Sequence, residues 1–128
     1  MTKLPTNPCD ASLTEITAAL AAREISSVEV TEASCARLQD SDTKLNALAG
    51  IDIEDARRQA LAADGAIGIG ALSGVPLAHK DMFYRPGRLT ECGSKVRRGF
   101  LPKTLSGALK NLDHAGALDV ARLNMAEF

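Results

Sequence analysis

Apolar residues recur at helical spacing through the first half of the chain and gather into short runs in the second. Leu13, Ile16 and Leu20 fall on one helical face behind Ser12-Leu13-Thr14-Glu15. In that tetrad Ser12 can accept from the third helical N–H while Glu15 reaches back to the cap. The same arrangement at Ser26-Ser27-Val28-Glu29 opens a second helix running towards Leu38, after which Asp40, Ser41 and Asp42 supply turn chemistry. Ile53, Ala56, Ala60 and Ala63 mark one face of a third helix that starts after Asp52 and ends at Gly65.

The pattern then changes. Nine of the ten glycines lie from Gly65 onward, and the run from Gly65 to Gly70 reads as a flexible connector. It lacks the G-x-x-x-x-G-K-S/T spacing of a phosphate loop, and no clear strand precedes it. Val75-Pro76-Leu77-Ala78 predicts a strand ending at His79-Lys80-Asp81, with Pro76 at its beginning or on a sheet edge. A loop-rich stretch follows. Leu105, Ala108, Leu109 and Leu112 then predict an amphipathic helix stopped by Gly116, and Ala117 to Ala121 a second strand.

Strand, helix, strand in that order predicts an α/β fold: N-terminal helices, then the beginning of a mixed or parallel sheet flanked by helices. The expected organisation is a flexible leader over 1–11, a helical layer over 12–64 and the start of an α/β core over 65–128. Two short strands do not make a stable parallel sheet covered on both faces, so the expected architecture is part of a larger one.

Composition sharpens the picture without changing it. Apolar residues make up 45% and charged residues 24%, as in ordinary globular proteins, but aromatics are only 3%, so the core must rely on aliphatic and alanine side chains. Net charge is −1 with signs interspersed, which with so few aromatics argues against a nucleic-acid partner. Lys95, Arg97 and Arg98 read as a solvated turn. No apolar run reaches bilayer length and no apolar signal region opens the chain, so no membrane partner and a cytoplasmic location are expected. Cys9, Cys35 and Cys92 are far apart and show no zinc spacing with His79 or His114, so free thiols and no metal are expected.

The residues most suggestive of chemistry are Gly74-Val75-Pro76-Leu77-Ala78-His79-Lys80-Asp81. A strand that delivers a lysine at its carboxyl end places the amine where α/β sheets commonly bind ligands. A buried lysine loses solvation of its charged form and can act as a general base near neutral pH. On spacing alone, a charged residue facing water at a strand end is the simpler account. His79 reads as a packed or solvated residue, Asp81 as an organiser of the following turn, and Asn124 and Glu127 as braces of the final turn. Cys92 with His114 as a thiol–imidazole pair has no motif behind it.

Several segments together resemble amidase-signature enzymes. Leu72 to Asp81 is similar to that family's "L-x-G-V-P-x-x-x-K-D" stretch. Cys92-Gly93-Ser94 is similar to its "G-S" turn, Leu112 to Ala117 to "L-x-x-A-G-A", and Asn124 to Phe128 to "N-M-x-E-F". Upstream, Ile25 to Val30 and Leu45-Asn46-Ala47 resemble its N-terminal helical region, so the likeness runs in family order from about Leu13 to the last residue. The resemblance implies hydrolysis of carboxylic amide C–N bonds through a serine nucleophile, a second serine in a cis peptide and a lysine, without metal or organic cofactor. It implies Lys80 as the catalytic lysine and a small-molecule amide as substrate of the complete enzyme. It leaves the substrate-binding residues unassigned.

The chain departs from the family pattern in ways that set further expectations. Both family serines belong to a Gly/Ser-rich signature lying beyond "N-M-x-E-F", and Ser73, Ser94 and Ser106 stand outside any such context. The chain alone is therefore expected to be inactive, as an N-terminal part of a hydrolase or of an amidotransferase A-type protein. The alternative is a non-catalytic interaction module or degenerate remnant, with self-association through an incomplete sheet. Ala121-Arg122 stands where the family has Gly-Lys. Asp119 interrupts an apolar strand; a buried, unpaired aspartate is costly, so it points either to a nearby basic partner or to relaxed selection in a degenerate gene product. Leu105-Ser106-Gly107 lacks the usual acidic residue, so the helix behind it is expected to be less well capped.

Overall fold

The computed structural model of the protein describes residues 4–66 and 68–126. Four helices, α1 (Leu13–Ala21), α2 (Ser27–Leu45), α3 (Ile53–Asp64) and α4 (Gly107–His114), surround three strands, β1 (Leu48–Ile51), β2 (Pro76–Lys80) and β3 (Leu118–Leu123). The fold is thus α/β with a mixed sheet. Its strand order is β1-β3-β2, with β1 antiparallel and β2 parallel to β3. Pro76 opens β2, which pairs with β3 alone among the described residues, so its missing N–H falls on a strand with a free edge.

The N-terminal helices begin where the capping signals stand. Ser12 caps α1 and Ser26 caps α2, each in a complete box with its glutamate, and Asp52 accepts from Asp55 N–H at the start of α3. The first turn of α2 gains a second acceptor: the Asp64 carboxylate, from the last turn of α3, takes the N–H groups of Ser27 and Val28 at 2.6 and 3.2 Å. An anion there opposes the positive end of α2 and satisfies two N–H groups that the helix itself leaves free.

Several expectations are corrected. α2 continues through Asp40–Asp42 to Leu45 and stops at Asn46, which takes the left-handed conformation at φ 48°. Ser41 and Asp42 add only polar surface there, and the Asp42 carboxylate holds the Leu48 N–H at 2.7 Å beyond the helix end. Strand β1 has four residues including an alanine and a glycine, too little β-forming character to read from sequence. The end of the 65–70 run is docked as well: Gly70 lies against the Ala115 carbonyl, and just beyond it Leu72 and Gly74 N–H bond the carbonyls of Ala115 and Gly116 at 2.8 and 3.0 Å. Gly116, at φ 86°, lies so close to Ser73 that a Cβ would stand 2.9 Å from its Cα. Helix α4 is capped after all, by Ser106 Oγ accepting from Leu109 N–H. Within 1–11, Pro8–Asp10 form a 3₁₀ turn held by Arg37, which donates to the Asp10 carboxylate at 2.8 Å.

The core is aliphatic and finely divided, as the composition requires. Ala56 and Ala60 of α3 are fully buried against Cys35, Leu118, Val120 and Ala121. Their small side chains let the helix approach the sheet closely, at the cost of little apolar area per contact. Leu20, Val30 and Val75 form a second cluster that seats α1 on α2 and on the entry to β2.

One irregularity decides what the other face of the sheet carries. The β2–β3 register slips between Leu77↔Asp119 and Ala78↔Ala121, leaving Val120 as an extra residue. Across this bulge Val120 and Ala121 both join the helix-facing core. Asp119 and Arg122, on either side of them, both lie on the opposite face with His79. That face is covered by the loop that follows β2, and its lining is ionic.

Candidate functional site at the carboxyl end of β2

β2 delivers His79 inward and Lys80 outward, as alternation along a strand requires: His79 is 8% exposed and Lys80 lies open to solvent. The chain turns immediately afterwards, with the Lys80 carbonyl accepting from Met82 N–H at 2.7 Å. Asp81 fixes that turn. Its carboxylate, 3% exposed, accepts from Arg122 at 2.9 Å through one oxygen and from Glu91 N–H at 3.1 Å through the other. Its main chain bonds Leu123 and Cys92. Asp81 is therefore the turn organiser that the sequence suggested, locking the strand end to both β3 and the 91–93 loop.

An open cleft of about 390 Å³ adjoins this point, with Asn46, Asp81, Ser94, Lys95, Arg98 and Asn124 among its lining residues. It lies at the carboxyl ends of β2 and β3, the usual ligand position in α/β sheets. Lys80 precedes Asp81 in the chain but does not line the cleft. Its amine is exposed, so the described residues do not supply the desolvation that a buried base needs.

Behind Lys80 lies an ion cluster. Asp119, 5% exposed, faces His79 at 3.1 Å (Nε2 to Oδ1), Arg88 at 3.0 Å and Arg85. Arg85 also holds Asp113 through two bonds of 2.8 and 3.0 Å, and Arg88 holds Asp55 at 2.7 Å. Gln59 grips the Asp119 main chain on both sides, donating to its carbonyl and accepting its N–H. Of the two readings of Asp119, the structure bears out the nearby basic partner. Burial opposes its charge, but His79, Arg88 and Arg85 outweigh that and hold its carboxyl below the usual range. For His79, burial pulls the imidazole down while Asp119 and the Lys80 carbonyl raise it, with a net upward shift.

The other singled-out residues fall into place separately. Ser94 caps the 3₁₀ turn Lys95–Arg97. Arg97 does not stand in water as expected of its cluster: it donates to Tyr84 Oη at 2.9 Å and stacks 4.1 Å from the Phe100 ring centroid. Lys95 and Arg98 are exposed. Asn124 braces the sheet, donating to the carbonyls of Asn46 and Leu48 at 2.8 and 3.1 Å, whereas Glu127 lies outside the described residues. Among the described residues no bond joins Cys92 to His114, all three cysteines are free, and no three His, Cys, Asp or Glu side chains are grouped to hold a metal ion. No helix among them is long and apolar enough to cross a membrane. Sequence reading missed Arg85, Arg88, Asp55 and Asp113. The one available signal was the need of Asp119 for a cation, which names no partner.

Comparison with known proteins adds the context of this geometry. Residues 29–128 match the family described as Amidase. The chain is 43% identical over 122 residues to the glutamyl-tRNA(Gln) amidotransferase A subunit of Aromatoleum aromaticum, covering 93% of this chain and 25% of that protein. Among solved structures, a fatty acid amide hydrolase superposes with a TM-score of 0.87 at 25% identity, over 96% of this chain and 22% of that one. The peptide amidase of Stenotrophomonas maltophilia gives 0.84 at 25% identity, over 96% and 26%. The chain spans about a quarter of the length of these relatives.

Proposed function

The chain belongs to the amidase family, and from that premise we propose that it is the lysine-bearing part of an amide-hydrolysing site, with Lys80 as the catalytic amine. The observation that carries this reading is the fixed end of β2: Asp81, locked to Arg122 and to the 91–93 loop, sets the main chain from which Lys80 projects into solvent. Catalysis by proton transfer depends on placing the base to within fractions of an ångström, which such a lock provides.

In the proposed mechanism a neutral Lys80 accepts the proton of a nucleophilic serine through a second, cis-peptide serine. The serine attacks the amide carbonyl, the amine leaves from the tetrahedral intermediate, and water releases the acyl group. Both serines come from sequence outside the chain, and covering of the exposed Lys80 by that same sequence supplies the desolvation that favours its neutral form. The substrate class is a carboxylic amide, and an amidotransferase A-type role follows the 43% identical relative.

The test is a graft. Replacing the matching quarter of the Aromatoleum protein with this chain, then measuring ammonia release from simple carboxamides, should give an active hydrolase. A folded but inert graft would refute the reading. A second reading, as an interaction module, draws on the free edge of β2 and the apolar groove beside it, lined by Ile16, Val30, Leu38, Val75 and Leu77. An unpaired strand edge over apolar surface favours association.

A further inference from the structure

We propose that His79 is a positioning residue for Lys80: a buried imidazolium clamped between the Asp119 carboxylate and the main-chain carbonyl of Lys80, tying the end of β2 to the arginine–aspartate cluster. The inference rests on the reading of Lys80 as the catalytic amine.

Both ring nitrogens face oxygen acceptors. Nδ1 stands 3.0 Å from the Lys80 carbonyl oxygen and Nε2 stands 3.1 Å from Asp119 Oδ1. A neutral imidazole carries one N–H and one bare nitrogen, so in either tautomer an electron-rich nitrogen would lie close to an oxygen. The doubly protonated ring presents positive N–H groups to both. The approach at Nε2 is bent away from hydrogen-bond alignment, and the attraction there is that of an ion pair.

Charge balance supports the same state. The carboxylates of Asp119, Asp113 and Asp55 converge on Arg85 and Arg88, while Arg58 reaches Asp55 only from the exposed rim. An imidazolium at His79 adds a third positive charge beside the half-buried Arg85 and Arg88, set against Asp119, the most buried of the three carboxylates. The proximity of Arg85 works against it, and burial does too, but the carboxylate and the carbonyl prevail and raise the affinity of the ring for its proton. Phe83 packs edge-on with ring centroids 6.0 Å apart; Gln59 grips the Asp119 main chain while Arg85 and Arg88 hold its carboxylate, so both partners are kept in place. Neutralising His79 would release the carbonyl of the residue that bears the proposed catalytic amine.

The decisive experiment reads both ring nitrogens of His79 in the isotope-labelled chain by long-range ¹H–¹⁵N correlation from about pH 5 to about pH 9, against the ordinary imidazole value of 6.5. His79 should keep both protons through that value, and the Lys80 carbonyl ¹³C shift should follow the His79 midpoint. Asp119→Asn should move that midpoint down towards the ordinary value. If Asp119→Asn fails to fold, the wild-type titration alone decides. One bare ring nitrogen below the ordinary value, or a Lys80 carbonyl indifferent to His79, would overturn the proposal. In the grafted enzyme His79→Gln should lower kcat with KM unchanged, which loss of folded protein alone would not do. A lost clamp with Lys80 still essential sinks this inference only; an intact clamp with Lys80 dispensable sinks the catalytic reading instead.

Discussion

Arg122 of β3 donates to the carboxylate of Asp81 at 2.9 Å, joining the residue after Lys80 to the neighbouring strand. Both groups are largely buried, and Arg122 donates as well to the Leu89 carbonyl. At this point β3 carries Ala121-Arg122. Ala121 packs in the core, and the longer, planar arginine spans from β3 to two acceptors at once. Removing one side of such a pair strands the other charge in a dry place. Asp81→Ala is therefore expected to cost about 3 kcal/mol or more, seen as a lower urea midpoint at unchanged slope. An unchanged midpoint would mean that the pair does not hold the strand end.

The ion cluster makes stability depend on pH at both ends. The folded-state value of His79 is raised above its ordinary 6.5. Its contribution is complete below that value and is lost as pH rises through the raised one. The folded-state value of Asp119 is lowered below its ordinary 3.8, so its contribution is complete above 3.8 and is lost as pH falls through the lowered one. Thermal midpoints should form a plateau between these two ordinary values and decline on either side. In Asp119→Asn the alkaline decline should weaken together with the acid one.

Glycines separate strained from open positions. At Gly116 a Cβ would meet Ser73 and the Ile69 carbonyl, and φ is 86°, whereas Gly107 at the start of α4 has nothing within 4 Å. Gly116→Ala should destabilise by about 2 kcal/mol or more, while Gly107→Ala should be neutral or mildly stabilising. Equal effects in urea titrations would contradict the docking of the 69–74 segment on the α4–β3 junction.

Much of this fold is legible in the sequence because it is local chemistry. Ser12 with Glu15 and Ser26 with Glu29 announce helix starts, and Pro76 announces an edge strand. What sequence pattern does not carry is pairing between distant segments. Asp40–Asp42 look like a turn until Asn46 is seen to take the helix terminus. β1 exists because Leu48, Gly50 and Ile51 pair with β3, and Gly50 leaves room for the Arg122 guanidinium. Asp119 looks like a fault in a strand until the bulge at Val120 turns it, with Arg122, to the face covered by Arg85 and Arg88. Spacing alone suggested a Lys80 that faces water, and it does; its proposed role rests on the motif.

The free edge of β2 carries its own expectation. Sedimentation velocity of the chain over a wide concentration range should show reversible association, and a charged substitution in the apolar groove, Leu77→Lys, should abolish it. A monomer at all concentrations would remove the interaction reading.

The most direct test of the catalytic reading is ammonia release from a carboxamide by the grafted enzyme carrying Lys80→Ala, beside the parent graft and His114→Ala. Lys80 is exposed in the chain, so the urea midpoint of the Lys80→Ala chain should match the parent. Its rate in the graft should fall on the order of 10²–10⁴-fold, the usual span for loss of a general base, while His114→Ala keeps the parent rate. A Lys80→Ala graft that hydrolyses amides as fast as its parent would contradict the assignment.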